Sequence, residues 1–334
     1  MGNYKIKLDD IDQKLDVKVV NVAIGAKHFS TPYKALNTPQ NNCVLEIYQK
    51  VDEKMIIDSR EGLSPLDKIP FKCKKDTINM VIPSYGSTTI SDSSLRDFES
   101  RIHPNTDVVI IPRWEGILQV NNETKLFDDM WSITKRYIEE VRRINGKLIM
   151  GNLPLNRPQS VIDRLVDGYV SEGITSFVLD YEQCGAPKKR YLIRNIEKEL
   201  SDFGYSEDSL LYSINMRKSH DYNGIMPADD LLSLIDGVNI LGNYHLGGGG
   251  GNKDYVKVFN QSEWTYISLP LEGRNSVDVA LDNHNKMNIE AELVKKEIIE
   301  NGSALKMIRT KKGATEYTKS VSQTTLNFGK PSWG

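Results

Sequence analysis

The sequence predicts an α/β protein: a (β/α)8 TIM-like barrel with a small β-rich N-terminal portion and a helical C-terminal extension. Two observations lead there. From Thr77 onward, short apolar runs rich in β-formers alternate with amphipathic helical stretches, which is the pattern of a parallel sheet covered by helices. Seven such runs follow Thr77, and KVVNVAI from Lys18 offers an eighth, the number a closed barrel needs. A doubly wound open sheet has the same pattern and stands as the alternative.

Residues 1–75 are expected as a β-rich portion packed on the barrel, with Pro- and Asn-rich loops such as TPYKALNTPQNN. The barrel is expected over residues 76–303. Its runs are INMVIPSY from Ile78, DVVIIPRW from Asp107, KLIMGNLP from Lys147, SFVLDYEQ from Ser176, LLYSINM from Leu210, VNILGNYHL from Val238 and TYISLPL from Thr265. Helical patterns lie between several of them, at Trp131–Ile144, Pro158–Glu172, Lys188–Phe203 and Pro227–Ile235. In Pro158–Glu172, Val161, Leu165 and Val170 share a face, and Pro158 suits a first helical turn. Residues 304–334 are rich in Lys, Ser and Thr and are expected as a basic helix followed by a loose tail. The sequence has no internal repeat.

The chain has 334 residues, 39% apolar and 26% charged, an ordinary globular composition with material for a sizeable core. Its net charge of −2 gives no overall pull toward a polyanion, so a nucleic-acid site would have to be a local patch. The three cysteines, Cys43, Cys73 and Cys184, are unclustered and suit reduced thiols. His284 in LDNHNKMN has no Cys or His at metal spacing, so it is expected to be structural. Neither a metal nor another cofactor is expected. The charged N-terminus does not resemble a signal peptide, and no run of ~18 apolar residues offers a membrane span. A cytoplasmic protein without membrane contact is the expectation.

In a barrel, ligands bind at the C-terminal ends of the strands. That rule selects Ser84 and Tyr85; Arg113, Trp114 and Glu115; Asn152; Asp180, Tyr181 and Glu182; Asn215 and Arg217; and Asn243, Tyr244 and His245. Such a ring suits a planar, hydrogen-bonding ligand stacked on Trp or Tyr and read by amides and carboxylates. Asp180 closes an apolar strand, and Glu182, two positions on, should point to the same side of an extended chain. Paired carboxylates divide nucleophilic and acid/base work. The competing reading pairs them with Lys188, Lys189 and Arg190. The run Gly247–Gly251 is not a dinucleotide-binding turn, since no helix opens after it. A flexible lid or a surface linker accounts for it equally well.

Three segments together resemble archaeal-type tRNA-guanine transglycosylases: IGAKHFSTPYKAL from Ile24, PADDLLSLIDGVNILGNYHL from Pro227, and LPLEGRNSVDVALDNHNKMNIEAELVKKEII from Leu269. GNLPLNRPQSVIDRLVDGYVSEGITSFVLD occupies the place of that family's base-contacting strand–helix–strand. The departures are specific. Leu271, Gly273 and Ser276 stand where the family has zinc-binding cysteines, and no Asp occurs at Leu241–Asn243, where its catalytic aspartate would fall. The Asp-Ser-Gly-Gly-Phe-Gln segment is also not recognisable. Zinc-less relatives of this kind include phage DNA-deazaguanine transglycosylases and non-catalytic partner subunits.

The resemblance implies exchange of guanine in DNA or tRNA for a 7-deazaguanine base through a carboxylate nucleophile. Asp180 would be the nucleophile or base-contacting carboxylate and Glu182 the acid/base. Tyr85, Arg113, Trp114, Glu115, Asn152, Asn215, Asn243, Tyr244 and His245 would hold the substrate. Lys306, Arg309, Lys311 and Lys312 are the clearest local basic excess and would grip phosphates. A homo- or hetero-dimer would suit the family. Two other readings stay open: a non-catalytic barrel that binds nucleic acid or a partner subunit, and an unrelated barrel hydrolase of a small polar substrate.

Overall fold

The computed structural model describes residues 4–37, 42–59, 61–62, 64–144, 146–217, 226–247 and 254–322. The chain opens with β1 (Tyr4–Ile11), β2 (Lys18–Ile24) and β3 (Lys27–Ser30), which pair antiparallel in that order. Next come β4 (Tyr33–Lys34), β5 (Val44–Val51), α1 (Glu53–Ser59), α2 (Ile69–Lys72), β6 (Ile78–Tyr85) and α3 (Asp92–Ile102). They are followed by β7 (Val108–Ile110), β8 (Arg113–Trp114), α4 (Glu123–Ile144), β9 (Leu148–Pro154), α5 (Gln159–Ser171), β10 (Ser176–Asp180) and α6 (Arg190–Asp202). The rest is β11 (Leu211–Ile214), β12 (Met226–Pro227), α7 (Asp229–Leu232), β13 (Ile240–Leu241), β14 (Tyr255–Asn260), β15 (Thr265–Pro270), α8 (Ser276–Asn301), α9 (Leu305–Ile308) and α10 (Thr315–Ser322).

One parallel sheet organises the molecule, in the spatial order β4-β13-β11-β10-β9-β7-β6-β5, with β8 pairing to the far end of β6. The sheet is nearly closed. Beyond β4, Leu36 bridges in parallel to Leu45 of β5, with Leu36 N donating to Val44 O at 3.2 Å and Glu46 N to Leu36 O at 2.8 Å. Eight strand positions thus surround one axis.

Alternation decides what each strand residue does. Val44, Ile78, Met80, Ile82, Val108, Ile110, Leu148, Met150, Val178, Leu210, Tyr212 and Ile240 form one buried cluster, which fills the barrel. Their chain neighbours, such as Leu45, Val81, Val109, Phe177 and Leu211, join the second cluster, between the strands and the helices. Burial on both faces is why most of these strands are largely apolar. The helices meet them with single stripes. Leu126, Met130, Ile133, Tyr137 and Val141 of α4 are buried at intervals of three and four residues. On α5, Val161, Leu165 and Tyr169 are buried, while Val170 lies only partly covered. Asn275 caps α8 through Val277 N, and Gly302, at φ +71°, ends it in the left-handed conformation that glycine adopts without a Cβ penalty.

Three sequence expectations change. KVVNVAI, the candidate eighth strand, is β2 of the antiparallel plug. Its Val20 and Val22, with Phe29 of β3, join the interior cluster at the strand N-termini. Lys27 fixes that end by pairing at 2.7 Å with Asp107, the residue before β7. TYISLPL is also outside the barrel. It forms β15 of a second antiparallel sheet, β12-β15-β14, packed against α8. The missing barrel strands come from within residues 1–75, as β4 and β5, so that portion is not a separate layer. Polar residues inside VLEIYQKV conceal its strand character: Glu46, Gln49 and Lys50 interrupt the apolar run.

Candidate functional site

With the plug at the strand N-termini, the open end of the barrel lies at the strand C-termini. The inward positions there turn polar: Glu46 and Tyr48 on β5, Ser84 on β6, Arg113 on β8, Asn152 on β9 and Asp180 on β10. On β5, β6, β9 and β10 they continue the alternation that places apolar residues deeper in the same strand, whereas Arg113 comes from the two-residue β8.

Arg113 is the hub. Its Nε donates to Asp180 Oδ2 at 2.7 Å, its Nη2 donates to Glu182 Oε1 at 3.1 Å, and its Nη1 lies 3.5 Å from Glu115 Oε1. Asp180 is fully buried, and Oδ1 accepts from Glu182 N and from Asn215 Nδ2, both at 3.0 Å. Burial pushes the Asp180 carboxyl up, Arg113 opposes that shift, and nearby Glu182 adds to it. Arg157 grips Glu182 with two donors, Nε to Oε2 at 3.1 Å and Nη2 to Oε1 at 2.8 Å, while its Nη1 holds Leu118 O at 3.0 Å. Ser84 Oγ donates to Glu115 Oε2 at 3.0 Å.

Glu182 reaches this cluster by a different route from the one expected. The chain is not extended there: Glu182 and Gln183 have φ of +46° and +71°. Two consecutive left-handed residues without glycine cost on the order of 1–3 kcal/mol each. The turn brings the Glu182 carboxylate back onto the two guanidinium groups. Lys188 and Lys189 do not pair with Asp180 or Glu182 among the described contacts, and Arg190 pairs with Asp236 at 2.6 Å.

Asn215, also left-handed at φ +56°, links two halves of the site. It donates to Asp180, and its Oδ1 accepts from His245 N at 2.9 Å. His245 Nε2 bonds Glu46 Oε1, and its ring stacks on Tyr48 with centroids 4.6 Å apart and planes 4° apart. The Tyr212 hydroxyl donates to Glu46 Oε2, and Asn243 N lies 3.0 and 3.2 Å from the two Glu46 oxygens. Burial works against the charge on Glu46, but His245, the Tyr212 hydroxyl and Lys34 outweigh it and hold the carboxyl below its usual value.

Three buried donors at the mouth lack a hydrogen-bond partner among the described residues: Arg113 Nη1, Asn152 Nδ2 and the Tyr48 hydroxyl. Beside the mouth, a cavity of about 360 Å³ opens between β4, β13 and α8, and Asn243, Tyr244, Lys34 and Asp230 are among its walls. Tyr244 is 40% exposed there.

The predicted site residues therefore separate. Arg113, Glu115, Asn152, Asp180, Glu182, Tyr244 and His245 surround the mouth. Asn215 and Asn243 support it, the latter through Nδ2 to Ala35 O at 3.1 Å. Tyr85 and Trp114 do not belong to it. They fall on the outward parity of β6 and β8 and are fully covered by helices. The Tyr85 hydroxyl donates to Glu53 at 2.7 Å, and Trp114 Nε1 donates to Thr134 of α4 at 2.9 Å. Tyr181 likewise packs outward. Sequence reasoning missed Glu46, Tyr48, Tyr212 and Arg157. The available signal was a carboxylate set inside an apolar strand, as in VLEIY.

Of the basic C-terminal residues, Lys306, Arg309 and Lys312 are exposed and Lys311 turns inward. Lys311 is an internal cation, 2.8 Å from buried Glu290, which also accepts from Trp264 Nε1 at 2.7 Å. α9, carrying Lys306, is tied to the β1–β2 turn of the plug, where Asp12 accepts from Ser303 Oγ and Ala304 N, both at 2.7 Å. Arg309 follows α9, and Lys312 is exposed. His284 is structural, its Nε2 donating to Lys34 O at 2.7 Å. Among the described residues, no group of three or more His, Cys, Asp or Glu is arranged to hold a metal, and the cysteines are unpaired. No described helix is long and apolar enough to cross a membrane. Residues 248–251 of the glycine run lie outside the described residues.

No protein-family model matches the chain, and no curated protein is significantly similar to it.

Proposed function

We propose that this protein is an enzyme that breaks the bond between an anomeric carbon and its leaving group, using Asp180 and Glu182 at the barrel mouth. The observation that supports this most is the Arg113 fork, which holds two strand-end carboxylates in unlike surroundings. Asp180 faces three donors and no acceptor, so it suits a fixed negative charge that opposes the positive charge growing on the anomeric carbon, or bonds to it. Glu182 lies on the turn, with 8% of its surface exposed against none for Asp180, and it suits proton donation to the leaving group once a substrate draws Arg157 away, since Arg113 and Arg157 donate to both of its oxygens at rest. The C–O or C–N bond breaks, its electron pair leaves with that group, and the acceptor loses a proton as it adds.

Asn152 Nδ2, which has no hydrogen-bond partner, and Arg113 Nη1, which is only ion-paired at 3.5 Å with Glu115 Oε1, suit the oxygens of a hydroxyl-rich substrate. Glu46, Glu115, Asp180 and Glu182 outnumber Lys34, Arg113 and Arg157, which disfavours a phosphate within the mouth. A sugar moiety is therefore the favoured reacting group. Exchange of guanine for a 7-deazaguanine in DNA or tRNA is a narrower form of the same chemistry. It draws on the sequence resemblance, but not on Trp114 and Tyr85, which face away. The reading is tested by assaying wild type, Asp180→Asn and Glu182→Gln against 4-nitrophenyl glycosides and against nucleic acid with labelled guanine. Nitrophenol release assigns hydrolysis, guanine release assigns exchange, and neither from the wild type sinks the reading.

A further inference from the structure

Across the mouth from Arg113, a second set of titratable side chains takes no part in the roles given to Asp180 and Glu182. Glu46 comes from β5, Tyr212 from β11 and His245 from the segment after β13; β11 and β13 are neighbours, and closure of the sheet brings β5 to them. A carboxylate with no exposed surface costs several kcal/mol in an apolar barrel unless it is paired. A leucine at position 46 would match Val44 below it and avoid that cost. The carboxylate is instead fully engaged, by His245 Nε2, the Tyr212 hydroxyl and Asn243 N.

The imidazole is fixed in both position and direction. Tyr48 stacks on one face, Asn215 takes its backbone N–H, and Glu46 binds Nε2. A carboxylate on one ring nitrogen sets the tautomer, so the neutral ring carries its proton on Nε2 and its lone pair on Nδ1. The side chain is 9% exposed at the open end of the barrel. Asn215 joins it to Asp180, so the two halves of the mouth form one hydrogen-bonded chain.

We propose that His245 is a catalytic base of this mouth, taking a proton from the acceptor through Nδ1, with Glu46 as the residue that positions it. In the step, the acceptor's O–H or N–H bond breaks as its oxygen or nitrogen adds to the anomeric carbon. The proton moves to Nδ1, and Glu46 offsets the imidazolium charge. Glu182 has given its proton to the leaving group, and solvent returns both residues to their starting states. The assignment rests on the glycosyl-bond reading for the identity of the acceptor. The charged and titratable groups facing the ring are Glu46 and Tyr48 from β5, Tyr212 from β11, Lys34 from β4, and Asp180 with Arg113 beyond Asn215.

The test has two arms on the full chain. In the first, diethyl pyrocarbonate labels histidines from pH 5 to pH 8, about the range in which imidazole titrates, and peptide mass mapping reads each site. Exposed His28 serves as the internal control. The proposal expects His245 to be labelled, and its labelling relative to His28 to change in Glu46→Gln, because the carboxylate that directs its tautomer has gone. A His245 that stays inert while His28 reacts overturns the proposal without any variant. In the second arm, turnover of 4-nitrophenyl glycosides and of guanine-labelled DNA is measured against pH. The expectation is that His245→Gln loses about 100-fold or more in kcat and that the acid limb of Glu46→Gln moves to lower pH. Superimposable profiles for wild type and Glu46→Gln contradict the assignment, since a purely structural tie would lower stability and leave the limb in place. Labelling as expected with no turnover of either probe supports the dyad and rejects the glycosyl-bond reading.

Discussion

Arg113 and Asp180 form a buried ion pair, 2.7 Å from Nε to Oδ2, between residues 67 positions apart in the chain. The pair exists because the C-terminal ends of β8 and β10 both turn inward, with only β9 between them. It is a point of stability as much as of chemistry.

Removing the cation should therefore be severe. Arg113→Met leaves Asp180 and part of Glu182 buried without their counter-charge, and loss of one partner from a buried pair costs about 3–5 kcal/mol. Urea denaturation should show a loss of that order. Arg113→Met combined with Asp180→Asn should lose less than the sum of the two single changes, because the stranded charge is gone.

Asp180→Asn should also be less benign than a strand-end residue at a pocket rim would suggest. Three donors converge on this carboxylate, and an amide would oppose one of them with its own N–H. An unsatisfied buried group costs about 1–3 kcal/mol. The melting temperature should fall, and kcat should fall far more than that loss explains.

Gly242 is a steric requirement of the Glu46 cluster. A Cβ there would overlap the Ser213 carbonyl and lie 2.6 Å from Glu46 Oε2. Gly242→Ala should destabilise by about 1–3 kcal/mol, read by denaturation, and should displace His245, read as altered pyrocarbonate labelling.

Lys311 and Lys312 should differ sharply, although the sequence groups them as one basic patch. Lys311→Met breaks the pair with buried Glu290 and should cost about 3 kcal/mol or more. Exposed Lys312→Glu should stay within about 0.5 kcal/mol of wild type. Parallel thermal melts decide this.

Asp236 gives a pH dependence with a definite sign. It is buried against Arg190 and accepts from the Tyr317 hydroxyl, and burial raises its carboxyl to about 6. Unfolded aspartate titrates near about 3.9, so between those values the folded protein holds the extra proton. This group's contribution to stability is largest in acid, falls as pH rises from about 4 to about 6, and then levels, over a span on the order of 3 kcal/mol. The stability difference between wild type and Asp236→Asn, measured by urea denaturation at several pH values, should move toward the variant across that window.

The parts of this fold that the sequence displays are those buried on both faces. β6, β9, β10 and β11 are largely apolar runs, and α4, α5 and α6 carry clean stripes, so their order and type are legible. β4 and β5 are not, because barrel closure places Glu46 and Gln49 in a strand and leaves β4 only two residues long. KVVNVAI and TYISLPL look like barrel strands because a local run reports burial and not the sheet it joins. The site shows the same division. Asp180, Glu182 and Arg113 follow from the strand-end rule. Trp114 and Tyr85 fail it by one position of parity, which a strand end alone does not fix. Glu46 and Arg157 reach the mouth through pairings 199 and 25 residues long, which no local pattern encodes.

Turnover by wild type and Glu182→Gln, side by side on the glycoside and guanine-labelled nucleic-acid probes, tests the central claim most directly. The substitution keeps the shape of residue 182 while removing its proton chemistry and one of its two acceptors. The account predicts measurable release of nitrophenol or guanine by the wild type and a loss of about 100-fold or more in kcat for the variant, with a folded protein by circular dichroism in both cases. Equal rates in the two proteins, or no release by the wild type from either probe, would contradict it.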